Sequence, residues 1–222
     1  MAENRRRVVI LATLTFVTGI VDGVGFVGLD HVFAGTATGY VLVLGMALGG
    51  AADLPTVGPL TALITFCLGA LLVGTLLRHI PGHDWVAAVT LVLLTNATVL
   101  AAGLAVVLWL TQEHFDHPVQ VAVSSITALV MGAQAVVARR LAVTEMNTLV
   151  ITLSLVSWAA ESLIRPGARV WNRRLAVVLV LFLGALVGVA LMRVHIGIPM
   201  ALAAFLVLLV AVTGHCRRRV RR

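Results

Sequence analysis

Ala34-Gly35-Thr36-Ala37-Thr38-Gly39-Tyr40 opens the second apolar stretch of this 222-residue chain, and Thr144-Glu145-Met146-Asn147-Thr148 opens the sixth. Whether these two polar starts lead helices through a bilayer, or only into it, decides the fold. Glycine and hydroxyl residues loosen a helix or leave backbone groups needing partners. At membrane depth that is tolerable only beside protein or a water-filled cavity.

Around them eight apolar segments can be drawn, at about 8–28, 36–52, 57–77, 85–110, 118–138, 146–163, 174–192 and 197–214. The chain is 60% apolar and 11% charged, with a mean hydropathy of +1.08. A soluble domain carries about a quarter charged residues, so this composition predicts a polytopic membrane protein. The net charge of +7 comes from arginine, with no lysine, placed in short loops and tails beside apolar spans. Membrane orientation and anionic lipid explain that placement, and no aromatic-interleaved basic patch points to nucleic acid. The apolar run after Arg5, Arg6 and Arg7 carries Asp22 and several glycines without a clear cleavage site, and is expected to be a retained first span.

If all eight segments crossed from a cytoplasmic N-terminus, Arg139 and Arg140 would face outside and the Glu113–Asp116 loop inside, against the positive-inside bias. Letting the second and sixth segments enter and leave on one side puts Arg5–Arg7, Arg78, Arg139, Arg140, the Arg165–Arg174 cluster and the Arg217–Arg222 tail inside. Only Arg193 then faces out. The predicted fold is an all-α integral membrane protein of six full spans plus two re-entrant or broken helices. It forms a single membrane domain over 1–222, both termini cytoplasmic, with a basic tail at 216–222.

The two halves, 8–112 and 118–215, resemble each other. Leu68-Gly69-Ala70-Leu71 through Arg78 lines up with Leu183-Gly184-Ala185-Leu186 through Arg193, and Phe16-Val17-Thr18-Gly19 with Leu129-Val130-Met131-Gly132. With an odd number of crossings in each half, the second must be inverted relative to the first. Inverted repeats with discontinuous helices are a recurring design of secondary transporters, whose half-helix N-termini point their positive ends at a midplane site. Those ends here would carry Thr36 and Thr38, and Asn147 and Thr148. They suit a small polar or anionic solute.

Asp22 lies mid-span, where a carboxylate is costly and must face protein or water, so it is a candidate proton-coupling group or cation ligand. Gln134 falls near the matching place on the fifth segment. Asn96, Thr95 and Thr98 read as contacts between helices, and the pairs Gly19/Gly23, Gly35/Gly39, Gly45/Gly49 and Gly184/Gly188 as close-packing positions. Glu113-His114-Phe115-Asp116-His117 reads as a solvated loop rather than a metal site. Cys67 and Cys216 have neither bridge nor metal spacing, and no nucleotide or nucleophile motif occurs.

The run from Phe16 to Phe26, Leu29-Asp30-His31-Val32-Phe33 and Thr38-Gly39 resembles the YoaK family of small bacterial multi-pass membrane proteins with a domain of unknown function. Met131-Gly132-Ala133-Gln134-Ala135, Arg139-Arg140-Leu141 and the threonine-rich start of segment six resemble its second signature. The family usually has Met-Thr-Gly-Asn where this chain has Ala37-Thr38-Gly39-Tyr40. If that asparagine serves a site, Tyr40 alters it. The resemblance implies a membrane protein with this span count and supplies no substrate.

The expected function is therefore a transporter-like or channel-like protein, with Asp22, Thr36, Thr38, Tyr40, Gln134, Asn147 and Thr148 around the solute and no cofactor, metal or catalytic residue. Its partners would be the lipid bilayer and a small solute that proton coupling would serve, and a homodimer is compatible with so few spans. The alternative is a non-transporting scaffold, sensor or assembly partner.

Overall fold

The computed structural model of the chain describes residues 2–29, 31–51, 54–80, 87–110, 116–141, 155–156, 159 and 173–219. Its helices are α1 (Ala2–Gly28), α2 (Ala37–Leu48), α3 (Val57–Arg78), α4 (Ala87–Leu110), α5 (His117–Leu141), α6 (Arg173–Met192) and α7 (Gly197–Arg219). These match the apolar segments of the sequence to within a few residues, except that α1 and α7 extend into their arginine-bearing ends. The sixth apolar segment, with Asn147 and Thr148, lies outside the described residues apart from three positions.

α1, α3, α5, α6 and α7 are long and apolar enough to cross a bilayer. The protein is thus a multi-pass helical membrane protein. α2 is different. Its 12 residues reach about 18 Å at 1.5 Å per residue, short of a hydrocarbon core of about 30 Å.

Backbone groups in hydrocarbon must be satisfied within the helix, and the hydroxyls follow the same rule. Thr13, Thr15, Thr18, Thr65, Thr95, Thr98, Thr127 and Thr213 each donate to the carbonyl one turn earlier on their own helix. Thr95 and Thr98 therefore do not bridge helices as their sequence positions led us to expect. Asn96 does, its amide donating to the Val130 carbonyl of α5 at 3.1 Å.

The most extensive packing joins α3 to α5, α1 to α6 and α4 to α7. α3 and α5 run parallel. Ser125 donates to Thr61 near their starts (3.0 Å), Gly69 and Gly132 meet mid-way, and Arg140 reaches the Leu77 and Ile80 carbonyls at their ends (3.4 and 3.0 Å). α1 and α6 are also parallel, touching at Gly19 and Gly184, then at Gly23 and Val189, then at Gly28 and Met192.

Arg140, which the sequence marks only as a topology signal, thus fastens α5 to the carbonyl end of α3, where a cation is favoured. Arg140→Gln should lower stability by about 2 kcal/mol, read as a lower unfolding midpoint in detergent. An unchanged midpoint would show that the contact contributes nothing.

Candidate functional site

After α1 the chain turns back into the protein. The Leu29 and Val32 amides both donate to the Gly25 carbonyl (3.2 and 3.3 Å), and His31 takes a left-handed φ of 52°. Phe26 stacks on Phe33 with centroids 4.6 Å apart, and His31 meets Phe26 edge-on. Gly25 admits this return because a Cβ there would collide with the Val32 carbonyl. Three residues after Val32, Gly35 lies in a corner. A Cβ on it would stand 2.6 Å from the Thr18 methyl, 3.0 Å from the Met131 terminal methyl and 3.3 Å from an Asp22 oxygen. Residues 32–36 therefore run back along α1 from Gly25 to the level of Asp22 and Thr18, near the middle of the Arg7–Gly28 span.

Asp22 is buried, at 7% exposure, and both its oxygens are engaged. The Gly35 amide donates to one at 2.5 Å, and the Thr36 hydroxyl donates to the other. Thr36 is the N-cap of α2 yet makes no side-chain cap bond, because its hydroxyl is turned to Asp22. The carboxylate of α1 thus holds the positive end of α2, the position an anionic ligand would otherwise take.

Tyr40 is wholly buried. It donates to the Ala34 carbonyl at 2.5 Å and sets its ring edge toward Phe66, centroids 6.0 Å apart. It braces the residue before Gly35 from inside α2. Tyr40→Phe would leave that carbonyl without its donor, at a cost of about 1 kcal/mol. Faster amide exchange at residues 34–36 would register it, and unchanged exchange would deny Tyr40 this role.

Gln134 on α5 is 3% exposed. Its amide nitrogen lies 3.5 Å from the Leu14 carbonyl, which also accepts the Thr18 hydroxyl at 2.9 Å. Its Oε1 is buried without a hydrogen-bond partner among the described residues. Of the residues singled out by sequence, the structure thus joins Asp22, Thr36 and Tyr40 at one turn, with Gln134 reaching α1 two turns below Asp22. Thr38 is exposed on α2, away from this cluster, and Asn147 and Thr148 lie outside the described residues. The Gly35 amide, Thr18 and Met131 complete the corner and were not singled out as site residues. Only the Gly-Thr pair following a span with a carboxylate offered a signal for them.

The family described as a protein of unknown function (DUF1275) matches residues 10–213, nearly the whole chain. The chain belongs to this family. Among the relatives of this DUF1275 member is the UPF0700 transmembrane protein YoaK of Bacillus subtilis (strain 168). It is 30% identical over 157 residues, covering 71% of this chain and 68% of that protein. No solved structure matches the DUF1275 chain.

Proposed function

We propose that this DUF1275 protein is a transporter-like protein of the bacterial inner membrane that moves a small polar or anionic solute past Asp22. It is built from two inverted three-span repeats with both termini cytoplasmic. The observation that carries the reading is the return of residues 32–36 along α1, which sets the N-terminus of a short helix on a carboxylate in mid-span. Discontinuous helices ending at the midplane are the recurring site of secondary transporters. α4, 24 residues without a charge, supplies the sixth span.

The helix contacts support the repeat. Exchanging the halves sends α1 to α5, α3 to α6 and α4 to α7. Gly19 meets the Leu181 carbonyl and Gly184 that of Phe16; correspondingly, Gly132 meets Phe66 and Gly69 meets Leu129. In all four, the carbonyl belongs to the residue three before the partner glycine. The packing of α1 on α7 likewise corresponds to that of α5 on α4.

Inversion finds support where α1 meets α5. Met131 faces the Thr18–Gly35 corner while Gln134 faces Leu14, so α5 advances as α1 recedes. Parallel halves would place Thr127, the counterpart of Leu14, at that carbonyl.

In the proposed cycle the ionised Asp22 fills the positive end of α2. Proton uptake weakens its hold, opening the Gly35 amide and Thr36 hydroxyl to solute, while Gln134 Oε1 offers an acceptor. The test is flux in proteoliposomes under an imposed pH gradient, screening acetate, nitrate and urea. Wild type should accumulate solute with acid outside, and Asp22→Asn should not. Identical pH dependence in both would reject the proton role. A silent screen would move the scaffold reading ahead, which the close glycine crossings favour.

A further inference from the structure

Ser124 and Gln134 are both buried on α5, at 1% and 3% exposure. The Ser124 Oγ and the Gln134 Oε1 have no hydrogen-bond partner among the described residues. At 3.6 residues per turn, Ser124, Thr127, Met131 and Gln134 fall within about 80° of one another around α5. Met131 fixes where this arc faces, because its terminal methyl lies at the Gly35 corner beside an Asp22 oxygen. A different side of α5 carries Gly132 against the Phe66 carbonyl of α3. Along the arc, Gln134 stands on the Leu14 side of the corner, and Ser124 lies beyond the corner the other way.

Buried polar groups left unmet are costly, so two on one arc ask for a polar occupant. α1 packs closely on α6, and α5 on α3, but α1 and α5 pack only lightly on each other. The seam between them is where such an occupant would pass. Its chemistry follows from the donors and acceptors present. The Gly35 amide and Thr36 hydroxyl are bound to Asp22, and they are the donors the corner offers once Asp22 releases them. Thr18 and Thr127 have spent their protons on the Leu14 and Val123 carbonyls, so their oxygens only accept further. Gln134 Oε1 is an acceptor too, while the Ser124 hydroxyl serves either way. An anion would satisfy the corner but turn lone pairs toward Gln134. A cation would compete for Asp22, both of whose oxygens already hold donors.

We infer that the solute is small and neutral and carries both a carbonyl and N–H groups, as urea and primary amides do, and that Gln134 selects it. The carbonyl is taken by the Gly35 amide and Thr36 hydroxyl, and the N–H groups by Gln134 as the solute moves along the arc. Met131, unbranched and flexible, is the side chain that yields on entry, since even a Cβ on Gly35 would crowd it. This inference rests on the transport reading and narrows it.

Urea, nitrate and guanidinium share one trigonal planar shape and differ in hydrogen bonding, so together they separate chemistry from size. The test is initial uptake of each, isotope-labelled, into proteoliposomes of the full chain with acid outside and the membrane potential clamped, empty vesicles subtracted. Urea should enter on the order of tenfold faster than either ion. Gln134→Met, similar in length but without an acceptor, should raise the KM for urea on the order of tenfold with little change in kcat. Its unfolding midpoint in detergent should not fall, because the Leu14 carbonyl keeps the Thr18 hydroxyl. Nitrate or guanidinium entering as fast as urea would overturn the solute class and leave transport standing. An unchanged KM, or a midpoint that falls, would make Gln134 a structural tie and overturn its selecting role. Uptake of none of the three would reject the transport reading and this inference together.

Discussion

Asp22→Ala is expected to release the turn before α2 and to abolish coupled transport together. Two donors, the Gly35 amide and the Thr36 hydroxyl, converge on this carboxylate, and hydrogen bonds to a charged group contribute about 1.5–3 kcal/mol each. Truncation also leaves the N-terminus of α2 inside the protein without the charge that complements its dipole. Hydrogen exchange at Gly35 should accelerate by on the order of a hundredfold, corresponding to about 3 kcal/mol of local opening. Asp22→Asn should fall between, since its amide oxygen still accepts one bond but carries no charge. This separates holding from coupling: the asparagine variant keeps much of the turn and loses the proton dependence of flux. Unchanged exchange at Gly35 in the alanine variant would mean that α2 is held by Tyr40 and the aromatic stack alone.

The glycine crossings should give the largest losses of folding. A Cβ at Gly69 or Gly132 meets the backbone of the facing helix, and one at Gly19 or Gly184 does the same. Backbone cannot step aside as a flexible side chain can, so valine at any of the four must push two spans apart. Overpacking costs about 1–3 kcal/mol in tolerant cores, and these contacts are closer than such cores supply. Each variant should lower the unfolding midpoint in detergent sharply, with Gly69 and Gly184 matched in effect, as are Gly19 and Gly132. Gly45 and Gly74 are the controls, since nothing lies within 4 Å of a Cβ built there. Alanine at either should be neutral or stabilising by up to about 1 kcal/mol. Equal losses at Gly74 and Gly69 would show that helix propensity, and not the crossing, sets the effect.

The reach of the sequence follows the range of the forces involved. Helix bounds were legible because lipid demands long apolar runs, and charged residues, glycine or proline stand in the stretches between them. Asp22 stood out since a charge in hydrocarbon requires a reason. The reason itself lay thirteen and fourteen residues on, in a backbone amide and a hydroxyl. Nothing in residue types says that Thr36 turns to Asp22 while Thr38 faces outward. Gly19 and Gly184 were recognisable as packing positions, but Gly45 has the same small-residue spacing and touches nothing. Spacing reports that a backbone can be approached, and only the fold says by what. Arg140 shows the same limit. An arginine at a membrane edge reads alike whether it faces water or caps a neighbouring helix.

The account rests most heavily on α2 entering and leaving by one side, which fixes the direction of α3. Single cysteines at Thr56 and His79, exposed positions at the two ends of α3, report this in a chain whose free cysteines Cys67 and Cys216 have been replaced. A membrane-impermeant thiol reagent applied to intact cells should label position 56 and spare position 79. The reverse pattern would mean that α2 crosses and the halves are parallel, contradicting both the inverted repeat and the midplane site built on it.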